Sequence, residues 1–219
     1  MPNILFKIGG KTEMNLARLK AAEKEFLRSY PGGFENPEMV KIGKKHNVPK
    51  MTEFCQQSFS KKACKNTKET CENLVKAVSR SSMVSMFEKP KFRDFVQGLD
   101  LNEKEFLVKA LVNFLHGKQQ LGFEGFVDLL KTQKLAKWSL ITIVPAYFNP
   151  TQEVFIKPTT TKNAIQFFDI KDLVYKPAPT WGFYEGYRNV INEFKQKVDP
   201  SLSPSNAAFS GFLMMSMSA

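Results

Sequence analysis

Two lysine-bearing stretches hold the residue types best suited to an anion. The first contains Lys134, Lys137 and Trp138, and the second Lys157, Thr159, Thr160, Thr161 and Lys162. Ammonium groups supply charge and threonine hydroxyls supply short hydrogen bonds. A helix opening at this second stretch would add free backbone N–H donors, an arrangement that suits phosphate. Threonines that cap a helix beside surface lysines would account for the same residues without any ligand.

A second basic set, Lys41, Lys44, Lys45 and Lys50, surrounds Gly43 and Asn47. Ile42 and Val48 are spaced to pack, Gly43 to let two helices approach, and Asn47 to take a left-handed turn. That spacing suggests a helix-turn-helix. Glu53 stands where a recognition helix would carry an apolar residue. A Lys-rich helical hairpin on the outer face of a bundle explains these residues equally well.

Other chemistries have less support. Gly9, Gly10, Lys11 and Thr12 end like a phosphate-binding loop, but Leu5 replaces the first glycine that the pattern needs. His46, Cys55, Cys64 and Cys71 lie too far apart for structural zinc, whose ligands come in close pairs. Two histidines are too few for a His-rich catalytic metal centre, and no Gly-x-Ser-x-Gly elbow exists. The reading is therefore a non-enzymatic protein with no metal and no cofactor. Three cysteines cannot all pair within one chain, which suggests a reduced, cytoplasmic protein.

The elements that must position these residues follow from periodicity and caps. Helices are predicted over 12–30, from Asn36–Pro37 to His46, over 51–59, over 102–115 with Asn102 and Glu105 as a capping box, and over 121–130. Residues 60–70 read as a flexible connection. Residues 140–144 are short, β-branched and bounded by Pro145, so they read as a buried strand, with 153–157 as its antiparallel partner. Pairing these two would bring Lys134, Lys137, Lys157 and Lys162 to one sheet edge. Helices over 160–168, 180–198 and 204–217 complete an α+β fold, predominantly helical, with a small antiparallel sheet of two or three strands in its second half. The last helix has a wide apolar surface and is expected to dock on the protein's own core rather than on a second subunit.

Length and charge bound the rest. The 219 residues suffice for one medium domain, and 42% hydrophobic residues exclude a wholly disordered chain. Residues 1–70 form a basic helical region and 71–219 a main helical domain, or the whole is continuous. The net charge is +11. The first 70 residues, with 14 basic and 7 acidic side chains, contribute +7 of it. Clustered lysines gain affinity for nucleic acid by releasing its counterions, so nucleic acid is the leading expected partner. A phosphorylated small ligand held by an enzyme or sensor, and a protein-interaction module, are the alternatives. No stretch is long and apolar enough to be read as a membrane span. Either a monomer or a homodimer fits.

Residues 81–93, 136–162 and 198–215 resemble a family of uncharacterised bacterial proteins over most of the chain. That family has no established activity, so the resemblance implies neither substrate nor catalytic residues. The 155–162 stretch is also loosely similar to segments of bacterial proteins of unknown role, some of them associated with restriction-type systems.

Overall fold

Short polar side chains precede many of the helices and accept the first free N–H groups of each. Asn15 accepts from the Arg18 N–H, Asn36 from that of Glu38, Asn66 from that of Glu69, and Ser205 from that of Ala208. Asp100 and Glu103 form a reciprocal capping box, two residues ahead of the pair expected from the sequence. The computed structural model describes residues 5–8 and 12–217. The Gly9–Lys11 turn lies outside the described residues.

Two short strands come first, β1 (Leu5–Ile8) and β2 (Thr12–Asn15), antiparallel with Leu5 opposite Asn15. Eleven helices follow among the described residues. They are α1 (Leu16–Ser29), α2 (Pro37–His46), α3 (Val48–Ser58), α4 (Thr67–Arg80), α5 (Glu88–Gly98) and α6 (Leu101–His116). Then come α7 (Gln119–Lys131), α8 (Trp138–Phe148), α9 (Pro158–Phe167), α10 (Trp181–Lys195) and α11 (Asn206–Ser216). Every one of these helices contributes to a single buried apolar cluster.

The α+β expectation is overturned, because the body of the protein is helical and the sheet expected in its second half does not form. Residues 140–144 lie inside α8, which is buried on all sides and packs against α3, α4, α6 and α7. A helix at the centre of a bundle has no polar face, so its sequence shows a continuous apolar run, as a buried strand's does. Pro145 sits within the helix rather than ending it. Residues 153–157 are extended but join no sheet; the Ile156 N–H donates instead to Thr142 Oγ1 on α8, at 3.0 Å.

Two smaller expectations also change. The stretch 60–70 is ordered by a 3-10 turn at Ala63–Lys65 and by the start of α4, with Cys64 and Thr70 buried. Residues 12–15 belong to β2, so the first helix starts at Leu16 with Asn15, not Thr12, as its cap.

The closest helix pair, α6 with α7, depends on Gly122. A Cβ there would lie 2.2 Å from the Phe114 nitrogen and 2.6 Å from the Ala110 oxygen. These are backbone atoms, so neither can rotate away. We expect Gly122→Ala to force the hairpin apart and lose about 1–3 kcal/mol, the usual cost of overpacking. Urea unfolding would measure this against Gly182→Ala, where a Cβ meets nothing within 4 Å and stability should hold or rise. Equal midpoints for the two variants would refute the constraint.

Candidate functional site

The sheet expected to gather the predicted anion residues does not form, and two links tie their segments to α8: the Ile156–Thr142 bond, and Lys162 through Tyr175 to Trp138. Asn149 caps the C-terminus of α8, and the chain then doubles back along the helix. Its return is fixed by the Ile156–Thr142 bond, one turn from Trp138 at the helix start. Lys137 is the N-cap of α8 and Lys157, next to Ile156, the N-cap of α9. Neither cap position is closed by a side-chain hydrogen bond. Lys162 lies 5.3 Å over the Tyr175 ring, and that ring packs on Trp138 at 6.5 Å. The Trp138 indole N–H donates to the Lys176 carbonyl at 2.8 Å, drawing a further lysine to the same end.

Individual residues fare differently. Lys134 is exposed and left-handed (φ 58°) in the turn that closes α7, where the Leu135 N–H reaches back to the Leu130 carbonyl. Lys134, Lys137 and Lys157 are exposed and make no ion pair among the described residues. Thr159 is exposed and Thr160 half-buried; neither caps the helix, which leaves the N–H groups of its first turn without a side-chain acceptor. Thr161 is buried against the Tyr187 phenol, whose pKa burial pushes up to about 12. Its hydroxyl faces the core. Trp138 is 1% exposed, so it lines no open pocket.

The second basic set occupies an unusually open helix. Every residue of α2 from Val40 to His46 is exposed, including Lys41, Lys44 and Lys45, and Met39 anchors the helix in the core. Asn47 takes the left-handed turn (φ 49°) as expected, and Lys50 is exposed on α3. The close helix approach expected at Gly43 does not occur, since a Cβ there would meet nothing within 4 Å, and Ile42 is 42% exposed. His46 Nδ1 lies 3.0 Å from Ser82 Oγ, tying the end of α2 to the loop between α4 and α5.

The sequence reading missed the most densely bonded polar cluster. Glu153 is buried and receives Tyr184 Oη–H at 2.6 Å, Gln119 Nε2–H at 2.9 Å and Arg188 Nη1–H at 3.0 and 3.1 Å. The Arg188 guanidinium lies over Trp181 and Tyr184 at 5.5 and 5.6 Å. Burial, reinforced by the Glu153 charge, pushes the Tyr184 phenol well above its ordinary range and keeps it a donor. Beside it, Asn206 Nδ2 donates to the Glu153 carbonyl and Asn192 Nδ2 to that of Gln152. The cluster thus clamps residues 150–153 onto α10 and α11. A usable signal was present: Trp181, Tyr184 and Arg188 share one face of a helix in a chain with few arginines.

Cys55, Cys64 and Cys71 are free and buried, and burial raises all three thiols, Cys55 to about 12. They suit packing rather than nucleophilic or metal chemistry. Among the described residues no helix is long and apolar enough to cross a membrane, and no cluster of His, Cys, Asp or Glu is placed to hold a metal. No family model matches the chain, and neither does any curated protein or solved structure.

Proposed function

We propose that this protein is a basic, non-enzymatic binding protein that contacts nucleic acid through its phosphates. The observation that carries this reading is a pair of helix N-termini, those of α8 and α9, that no side chain caps and that each have an exposed lysine, Lys137 or Lys157, as the N-cap residue. Lys134 and Lys162 lie near these positions in sequence, and Lys41, Lys44, Lys45 and Lys50 are exposed on α2 and α3. Unpaired lysines keep their full charge for a polyanion, and free N–H groups at a helix start favour phosphate oxygen. A small phosphorylated ligand fits less well, because the expected pocket wall, Trp138, is closed over by Tyr175 and Phe183. Three free thiols accord with a reducing, cytoplasmic setting.

Binding of a labelled duplex and a labelled single strand across a salt series tests the reading. Affinity should fall steeply with salt, and changing Lys134, Lys137, Lys157 and Lys162 to Gln should flatten the log–log slope by about 3. Absence of binding at about 50 mM salt, where charge-driven association is strong, would end it.

A further inference from the structure

The side of α2 that meets the body of the protein is set at two points. Met39, in its first turn, is 2% exposed, and His46, its last residue, lies through Nδ1 at 3.0 Å from Ser82 Oγ. With about 100° of rotation per residue, Met39, Gly43 and His46 fall within about 60° of one another on that near side. Lys41, Lys44 and Lys45 fall on the opposite side, across an arc of about 100°. Past Met39 no residue of the helix is buried: Val40 to His46 are all exposed, and a Cβ on Gly43 would meet nothing within 4 Å.

Charge on this projecting helix is one-sided. Lys41, Lys44 and Lys45 are exposed and make no ion pair among the described residues. Lys50, also exposed, adds a fourth positive charge in the first turn of α3. Glu38 is the single acidic residue between Asn36 and Lys50. A polyanion is the partner that such a face complements.

We infer that α2 enters the major groove of double-stranded DNA, with Lys41 toward the groove floor and Lys44 and Lys45 toward the phosphates on its two sides. The inference rests on the nucleic-acid reading above and names the nucleic acid and the element that meets it. A helix with its side chains is about 10–12 Å across, and the groove is about 12 Å wide and about 8.5 Å deep. A helix held only along its near side can seat there. Lys44 and Lys45 diverge from Lys41 by about 60° and about 40° in opposite senses, which spreads their charges toward opposite strands. Lys41, between them, is placed to donate to guanine O6 or N7. The first helix of the α2–α3 pair thus meets the DNA, where a helix-turn-helix would use the second. Other partners fit less well. The major groove of duplex RNA is too narrow for side chains to read. A single strand is held by stacking on aromatic rings, and α2 has no Phe, Tyr or Trp. An interfacial helix turns its apolar residues to one face, whereas Val40 and Ile42 lie about 160° apart, at the two edges of the lysine arc.

The test compares wild type with Lys44→Gln/Lys45→Gln, with Lys41→Gln and, as a charge-keeping control, with Lys44→Arg/Lys45→Arg. Three probes are a labelled DNA duplex of about 20 base pairs, its single strand and the RNA duplex of the same sequence. The fourth is the DNA duplex carrying glucosylated hydroxymethylcytosine, whose neutral sugars fill the major groove. Wild type should bind the plain DNA duplex most tightly, and the glucosylated one about 5- to 150-fold more weakly, the range for one lost base contact. Lys44→Gln/Lys45→Gln should lower the log–log salt slope by about 1.8, two duplex phosphate contacts at about 0.9 each, and the arginine pair should keep the wild-type slope. Lys41→Gln should narrow the gap between plain and glucosylated duplexes. Equal affinity of wild type for those two duplexes, or a salt slope unmoved by Lys44→Gln/Lys45→Gln, would overturn this inference and leave the broader reading intact. Tighter binding of the single strand or of the RNA duplex would overturn it as well. Failure of wild type to bind any of the four probes would remove the broader reading itself.

Discussion

Removal of the chain after Pro204 is expected to unfold the protein. The deleted segment contains α11, whose Phe209 and Phe212 are fully buried and whose Leu213 is 1% exposed. Phe212 meets Phe26 of α1 edge-on with centroids 5.3 Å apart, and α11 also packs on α9 and α10. Each of these three side chains gives about 1.5–3 kcal/mol on burial. Their sum is comparable with the whole stability of an ordinary domain, about 5–15 kcal/mol. The deletion also strips Asn206 from the Pro150 and Glu153 carbonyls, which it bonds through its N–H and its side-chain amide. A thermal melt followed by circular dichroism, with sedimentation velocity, should show aggregation or the loss of a cooperative transition. A truncated protein that stays soluble and monomeric and melts with the full chain would defeat the prediction. The point variant Phe212→Ala should show the same effect in part, losing about 3–5 kcal/mol.

The second large effect concerns Arg188. Its side chain is 14% exposed and that of Glu153 8%, so the pair is held largely out of water. Arg188→Ala leaves the Glu153 carboxylate buried, with the Tyr184 and Gln119 donors but no positive charge. Breaking such a pair from one side costs about 3–5 kcal/mol, whereas replacing both partners by apolar residues is often neutral. Chemical denaturation should therefore show a large loss for Arg188→Ala and substantial recovery when Glu153→Leu is added. A deficit that is small, or that Glu153→Leu does not relieve, would mean that the pair does not carry the clamp.

These two clusters also show how the molecule protects its candidate surface. The clamp at residues 150–153 precedes the segment that leads to Lys157, whose neighbour Ile156 is bonded to Thr142 on α8. Loss of Arg188 should thus disturb the lysine arrangement indirectly, through position.

Much of the helical framework was legible from local residue types. Asn36 and Pro37 start α2 as their chemistry requires, because an amide side chain accepts an orphan N–H and proline presets the helical φ. The apolar spacing over 106–115 and 123–130 marks α6 and α7, since each shows one face to the core. The apolar surface of 207–215 required burial, and α11 is buried against the chain's own helices. Each of these follows from neighbours within a turn or two of the residue concerned.

What the tertiary structure alone decided involves partners distant in sequence. Residues 140–144 carry no periodicity, because α8 is enclosed by four helices, and local pattern cannot separate a fully buried helix from a buried strand. Nothing near Gly122 announces that Ala110 and Phe114 will press their backbones against it. Glu153 and Arg188 are 35 positions apart on separate elements, and only the packing of α10 brings them to 3.0 Å. The hairpin expected to join Lys137 and Lys157 does not form; the chain after α8 instead returns along it under a hydrogen bond to Thr142. Caps and amphipathic faces are short-range energies that a sequence displays directly, whereas close packing and buried ion pairs depend on which surfaces finally meet.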